Sequence, residues 1–193
     1  MKTFSNPKKT GGRLAAGILL LLLSACLATT PDWQRTSLPP LTLPAPTRTA
    51  DRQYLGLTPE TTSFRLDQIG GRLVVLEFIL AQCPHCQHEA PKMKRFYELV
   101  QERGFGDRIK FVSIALGNTP LETGLFRDRY QVPFPLIPNP GKYVMKVEAT
   151  PTLYFLQPES GGGARVLYEA VGRLPEAEKL LRQAIELGGL PSS

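Results

Sequence analysis

The apolar positions of this chain fall into two kinds of block. Leu73-Val74-Val75-Leu76-Glu77-Phe78-Ile79-Leu80 is apolar at every position but one. It is too continuous for a surface segment and too short for a long helix, so it predicts a buried strand. Ile109 to Leu116, interrupted only by Lys110 and Ser113, predicts a second buried run. Between them the pattern changes. From Pro84 onward Met93, Phe96, Tyr97 and Val100 recur at spacings of three and four, which predicts an amphipathic helix from Pro84 to about Arg103, stopped at Gly104.

The same reading extends across residues 60–190. Ser63 to Leu66 predicts a short strand, and Ile69-Gly70-Gly71 a turn into the buried run. A helix is expected around Leu121 to Tyr130, an extended piece at Phe134 to Ile137, and a brief helix near Lys142 to Lys146 leading to Thr150-Pro151. Thr152 to Leu156, a Gly161-Gly162-Gly163 turn and Val166 to Val171 read as a closing hairpin. A last amphipathic helix carries Leu180, Leu181, Ala184, Ile185 and Leu187. Strands alternating with helices imply an α/β fold, a central mixed sheet flanked by helices on both faces. A domain of about 130 residues buries a real core without disulfides.

The N-terminal quarter has a different pattern. Lys2, Lys8, Lys9 and Arg13 make a basic start, and Leu14 to Leu23 form an apolar core of ten residues. That core is shorter than the ~20 residues a membrane-spanning helix needs, but it matches a secretory signal. The segment ends Leu23-Ser24-Ala25-Cys26. It resembles a bacterial lipobox, in which the cysteine is lipidated, and places residues 1–25 in a lipoprotein leader. The alternative is ordinary cleavage after Ala28, leaving a soluble protein. Residues 26–59 are rich in Pro, Thr and Leu, with Pro31, Pro39, Pro40, Pro44, Pro46 and Pro59. They are expected to form an extended tether holding the domain away from a bilayer. The product is therefore expected outside the cytoplasm, anchored through lipid on Cys26.

Export changes the meaning of charge and cysteine content. The whole chain has 23 Lys and Arg against 17 acids, a net charge of +6. Without the leader's four basic residues the balance is near +2, and nothing argues for a nucleic-acid partner. Of the three cysteines, lipid on Cys26 would leave only Cys83 and Cys86. They sit in Cys83-Pro84-His85-Cys86, at the junction of the buried strand and the amphipathic helix. Cys83 is therefore at a helix N-terminus, where unpaired N–H groups and the helix dipole favour negative charge. Cys86 lies one turn later on the same face, within bridging distance. This is the geometry of a reversible dithiol. The thiolate is the attacking species, and a helix N-terminus lowers a thiol's pKa, so Cys83 is the expected nucleophile and Cys86 the resolving thiol. His85, when protonated, would add positive charge beside it. His88 is expected to be solvated.

Around these motifs the segment from about 60 to 190 resembles the thioredoxin superfamily, in its extracytoplasmic membrane-tethered TlpA/ResA branch. The matching features are the strand leading into the CxxC, Glu89 and Pro91 just beyond it, and the helix-and-strand insert near 121–137. Ala149-Thr150-Pro151-Thr152 stands where the family keeps a cis-proline, and Ala170-Val171-Gly172 precedes the last helix. The resemblance implies a thioredoxin-like fold and disulfide exchange with protein substrates and an upstream redox partner, without a cofactor. It further implies a cis bond before Pro151, with Thr150 presenting its backbone beside the dithiol for a substrate strand to pair. Pro84 and His85 would line the same substrate site.

Two acids gain meaning from the resemblance. Glu77 stands where thioredoxin-like proteins often keep a buried acid that takes the proton of the second cysteine. A carboxylate in an apolar strand is costly unless paired or neutralised, so burial would raise its pKa toward proton-transfer range. The other reading puts Glu77 at the sheet edge or against a lysine. Glu89 matches an acid of the TlpA/ResA branch, a possible proton relay. Otherwise it is an ordinary residue of the helix surface.

Other features mark departures and rivals. Gln82 precedes the first cysteine where many relatives have tryptophan. Pro84-His85 equals the dipeptide of the oxidant DsbA, whereas the TlpA/ResA scaffold suggests a reductant, so the direction of exchange is open. A copper-delivery protein of the same fold is the rival class. Gln87 excludes the CxxCH haem motif, and Leu80 stands where a peroxiredoxin-type peroxidase has threonine.

Overall fold

A computed structural model describes residues 37–139 and 147–191. The leader, Cys26, Trp33 and the helix expected near 142–146 lie outside the described residues. Among the described residues, no helix is long and apolar enough to cross a membrane.

The first buried run becomes β4 (Leu73–Ile79), with all seven residues buried. Before it come β1 (Ser37–Leu38), β2 (Thr42–Pro44), α1 (Thr49–Leu55) and β3 (Ser63–Arg65), then a 3₁₀ turn at Leu66–Gln68. After it come α2 (Pro84–Glu102), β5 (Ile109–Leu116), α3 (Pro120–Tyr130) and β6 (Leu136–Asn139). The last elements are β7 (Thr152–Pro158), β8 (Ala164–Val171) and α4 (Ala177–Leu187). The main sheet has the order β1-β8-β7-β4-β5-β6. β4 pairs parallel with β5 and antiparallel with β7, and β5 pairs parallel with β6, so the sheet is mixed. The β7–β8 hairpin carries a bulge at Phe155/Leu156.

Alternation along β4 divides the core. Leu73, Val75 and Ile79 face a cluster holding Cys86, Met93, Phe96 and Val100 of α2 with Leu180, Leu181 and Ala184 of α4. Val74, Leu76 and Phe78 face a second cluster, built by Leu43 of β2, Leu55 of α1, Phe64 of β3, and Leu66 and Ile69 of the following turn. β4 is apolar at every position but Glu77 because both its faces are covered, as expected of a strand with parallel pairing.

The second cluster corrects the expected tether. Leu38, Leu41, Leu43 and Leu55 are each at most 5% exposed, and the folded unit begins well before residue 60. The prolines interrupt helical periodicity without preventing short strands: β2 pairs with β3, and β1 adds to the edge of β8. α1 also closes the lower edge of β5, where the Phe111 N–H donates to the Tyr54 hydroxyl at 2.9 Å.

Candidate active site

α2 begins at the dithiol. Cys83 is its N-cap, with extended backbone (φ −73°, ψ 120°), and Pro84 occupies the first turn, where its missing N–H costs nothing. Cys83 is half-buried and Cys86 is buried, and both are free thiols. The Cys83 Sγ lies 3.5 Å from the Thr150 carbonyl oxygen. The Cys86 Sγ accepts the Leu80 N–H at 3.5 Å.

The two thiols are pushed apart in acidity. Partial burial of Cys83 opposes its ionisation. The Cys86 amide, the Thr150 side chain, the Cys86 thiol and the His85 amide together outweigh that, and hold Cys83 below the ordinary thiol range. Cys86 lies deeper, and burial pushes it up to about 12. Its deprotonation therefore needs a base close by.

The Thr150–Pro151 bond is cis, as the family resemblance implied. The loop is held from both ends. The Thr152 hydroxyl donates to the Ala149 carbonyl at 2.7 Å, and the Gly172 N–H donates to the Pro151 carbonyl at 2.7 Å. Gly172 has φ +76°, a conformation that glycine adopts without steric cost.

Glu77 is 6% exposed and lies on the central strand, flanked by Ser113 of β5 and Leu153 of β7. The edge reading is thereby overturned. Its position between Val75 and Ile79 puts it on the face that carries Cys86. Desolvation raises its pKa to about 7; the Ser113 hydroxyl, donating to Oε2 at 2.5 Å, works against the rise, and the neighbouring Glu89 charge adds to it.

Glu89 is not on the helix surface. It is 2% exposed, pairs with Lys92 at 2.8 Å and accepts the Leu174 N–H at 3.3 Å. Lys92 also donates to the Leu174 carbonyl at 2.7 Å, tying α2 to the segment before α4. Pro84, His85 and His88 are exposed.

The structure thus gathers Cys83, Cys86, Thr150 and Pro151 at the mouth, with Pro84 and His85 on the rim and Glu77 and Glu89 behind. Sequence reasoning missed four contributors: Ser113, Lys92, Gln87 and Asn118. Ser113 sits opposite Glu77 only through strand register, and the others carry no motif. A cavity of about 440 Å³ lies elsewhere, lined by Arg48, Asp51, Thr123, Arg127 and Ile137. Among the described residues, no group of three or more His, Cys, Asp or Glu could hold a metal ion.

A mixed sheet, a CxxC capping the helix after its central strand, and a cis Thr150–Pro151 bond whose Thr150 carbonyl meets the first sulfur define a thioredoxin-like dithiol protein. The AhpC/TSA family model matches residues 41–159, and the chain belongs to that family. It is 28% identical over 102 residues to the thiol-disulfide oxidoreductase ResA of Oceanobacillus iheyensis, covering 51% of each chain. With ResA of Halalkalibacterium halodurans it shares 29% over 86 residues, covering 45% of this chain and 47% of the relative. The matched stretch spans about half the length of these curated relatives. Among solved structures, a candidate thiol:disulfide interchange protein DsbE of Chlorobium tepidum superposes with a TM-score of 0.57 at 20% identity, covering 79% of this chain and 96% of that one. StoA of Bacillus subtilis superposes at 0.51 and 22% identity, covering 65% and 91%. At these identities the structures support the shared fold.

Proposed function

We propose that this chain is an extracytoplasmic, membrane-anchored thiol-disulfide oxidoreductase that exchanges disulfides with protein substrates through Cys83 and Cys86. The observation that carries the reading is the placement of two free thiols one helical turn apart, Cys83 capping α2 at 3.5 Å from the Thr150 carbonyl and Cys86 buried behind it. The lowered pKa of the outer thiol beside the raised one of the inner agrees with it. The names of the curated relatives point the same way. The basic, apolar leader of residues 1–25, followed directly by Cys26, supports export and a lipid anchor.

In the reducing direction, the Cys83 thiolate attacks one sulfur of a client disulfide. The client S–S bond breaks, a Cys83–client disulfide forms, and the client thiolate leaves and takes a proton from solvent. Thr150 and Pro151, with Pro84 and His85 on the rim, hold the client backbone beside Cys83. Glu77 then accepts the Cys86 proton, with Glu89 tuning its charge, and the Cys86 thiolate attacks the Cys83 sulfur. The second client thiolate departs and the Cys83–Cys86 disulfide remains, so one client disulfide has been reduced at the expense of one dithiol. The oxidising direction reverses each step, and an upstream redox partner resets the pair. No observation favours the copper-delivery alternative.

Cys83→Ser is expected to abolish insulin disulfide reduction, and Cys86→Ser to trap Cys83–client mixed disulfides on non-reducing gels. Full turnover in both variants would overturn the mechanism. The reduction potential assigns direction: above about −180 mV marks an oxidant or isomerase, and near −270 mV a reductant.

A further inference from the structure

The loop that delivers Cys83 from β4 to α2 belongs to neither element, so its backbone polar groups need partners from elsewhere. Two amide side chains supply them at Ala81. The Ala81 N–H donates to Asn118 Oδ1 at 2.8 Å. The Ala81 carbonyl accepts Gln87 Nε2–H at 2.9 Å. The two peptide units that flank Ala81, two residues before the nucleophile, are thus each held by a side-chain amide.

The clamp continues outward. Asn118 Nδ2 donates to Gln82 Oε1 at 2.8 Å, and Gln82 Nε2 donates to Glu122 Oε1 at 2.5 Å. The other Glu122 oxygen accepts the N–H and hydroxyl of Thr119 at 2.8 and 2.9 Å, which closes the capping box of α3. The chain has a single sense. It starts at a backbone N–H, which only donates, and ends at a carboxylate, which only accepts. Both amides between are therefore oriented without ambiguity. Asn118 is 1% exposed, so an unmade bond there would leave a buried polar group unsatisfied.

We infer that Asn118 is the positioning residue for the attacking thiol: through Ala81 and Gln82 it locks the active-site loop to α3 and holds Cys83 in the frame of amides that favours its thiolate. Asn118 touches no reacting atom, and the inference rests on the dithiol reading above. Gln82 takes part in this latch through both ends of its side-chain amide.

The test follows alkylation of Cys83 by iodoacetamide across pH in the reduced full-length protein, read on the Cys83 peptide by mass spectrometry. Asn118→Ala is expected to move the alkylation midpoint to higher pH and to slow alkylation at pH 7 by about two- to tenfold, the span of one lost hydrogen bond. Gln82→Ala, on the exposed rim, is expected to give a smaller shift in the same direction. Because both act through one chain of bonds, Gln82→Ala adds nothing in an Asn118→Ala background. An Asn118→Ala profile overlying the parent's overturns the inference, as do two shifts that add in full. Where Asn118→Ala fails to fold by circular dichroism, an unchanged Gln82→Ala profile overturns it equally. Insulin reduction is read in parallel. An inactive parent whose alkylation responds to these substitutions refutes the exchange reading and leaves the latch standing.

Discussion

Glu77→Gln isolates the buried carboxyl that β4 itself carries on its dithiol side. The amide matches the carboxyl in shape, and its oxygen still accepts the Ser113 hydroxyl that now donates to Glu77 at 2.5 Å. What it removes is the ability to ionise. In the folded protein Glu77 titrates near 7, against an ordinary 4.5, because burial penalises the charged form. A group whose folded pKa is raised contributes stability that is complete below its unfolded pKa and lost as pH climbs through the folded value. The rise from 4.5 to about 7 is worth about 3 kcal/mol at full ionisation. The stability difference between Glu77→Gln and the parent is therefore expected to be constant below pH 4.5. It should grow in the variant's favour from there to pH 7 and level off about 3 kcal/mol higher. Urea unfolding followed by circular dichroism, with both proteins reduced and compared from pH 4 to 9, measures this. Contributions from the thiols cancel in the difference. Differences that stay within about 1 kcal/mol across the range would refute the buried-acid reasoning. The same variant tests the proton transfer. Without the base, the step in which Cys86 attacks the mixed disulfide should slow by roughly 100-fold or more. Resolution at the parent rate would remove Glu77 from the mechanism.

Two further predictions concern what holds the site's frame. A chain beginning at residue 60 loses Leu38, Leu41, Leu43 and Leu55 from the second core. At ~2 kcal/mol for each buried leucine, that is comparable with the whole stability of a small domain. It is expected to lack a cooperative urea transition that a chain beginning at residue 37 retains; equal midpoints would refute the corrected boundary. Arg127 pairs with buried Asp51 at 3.0 Å and also donates to the carbonyls of Val132, Phe134 and Leu136. Arg127→Met strands those groups and is expected to cost about 3 kcal/mol in urea unfolding. A loss below about 1 kcal/mol would show the pair to be dispensable.

The elements nearest the dithiol were the most legible, because each announces itself locally. A continuous apolar run flanked by polar turns reads as a two-sided buried strand, and β4 and β5 appear where those runs lie. A cysteine followed by proline and a helical period reads as an N-cap, and Cys83 is one. The stretch 37–59 misled because prolines suppress periodicity, while short strands need only a partner, and those partners, β3 and β8, are distant in sequence. Glu89 stayed open between two readings for a related reason. Helical spacing places it on a face, but only the packing of α4 and the Leu174 segment makes that face an interior one.

Local order along the chain was enough to determine the strand-loop-helix unit, the pair of thiols at its start and the order of elements around them. Those properties follow from short-range sterics and from which residues avoid water. Tertiary structure alone decided what each polar group meets: Ser113 against Glu77, Lys92 against Glu89, and Asn118 against Ala81. A hydrogen bond or ion pair depends on a few ångströms between residues far apart in the chain, and hydrophobic patterning carries no record of that distance.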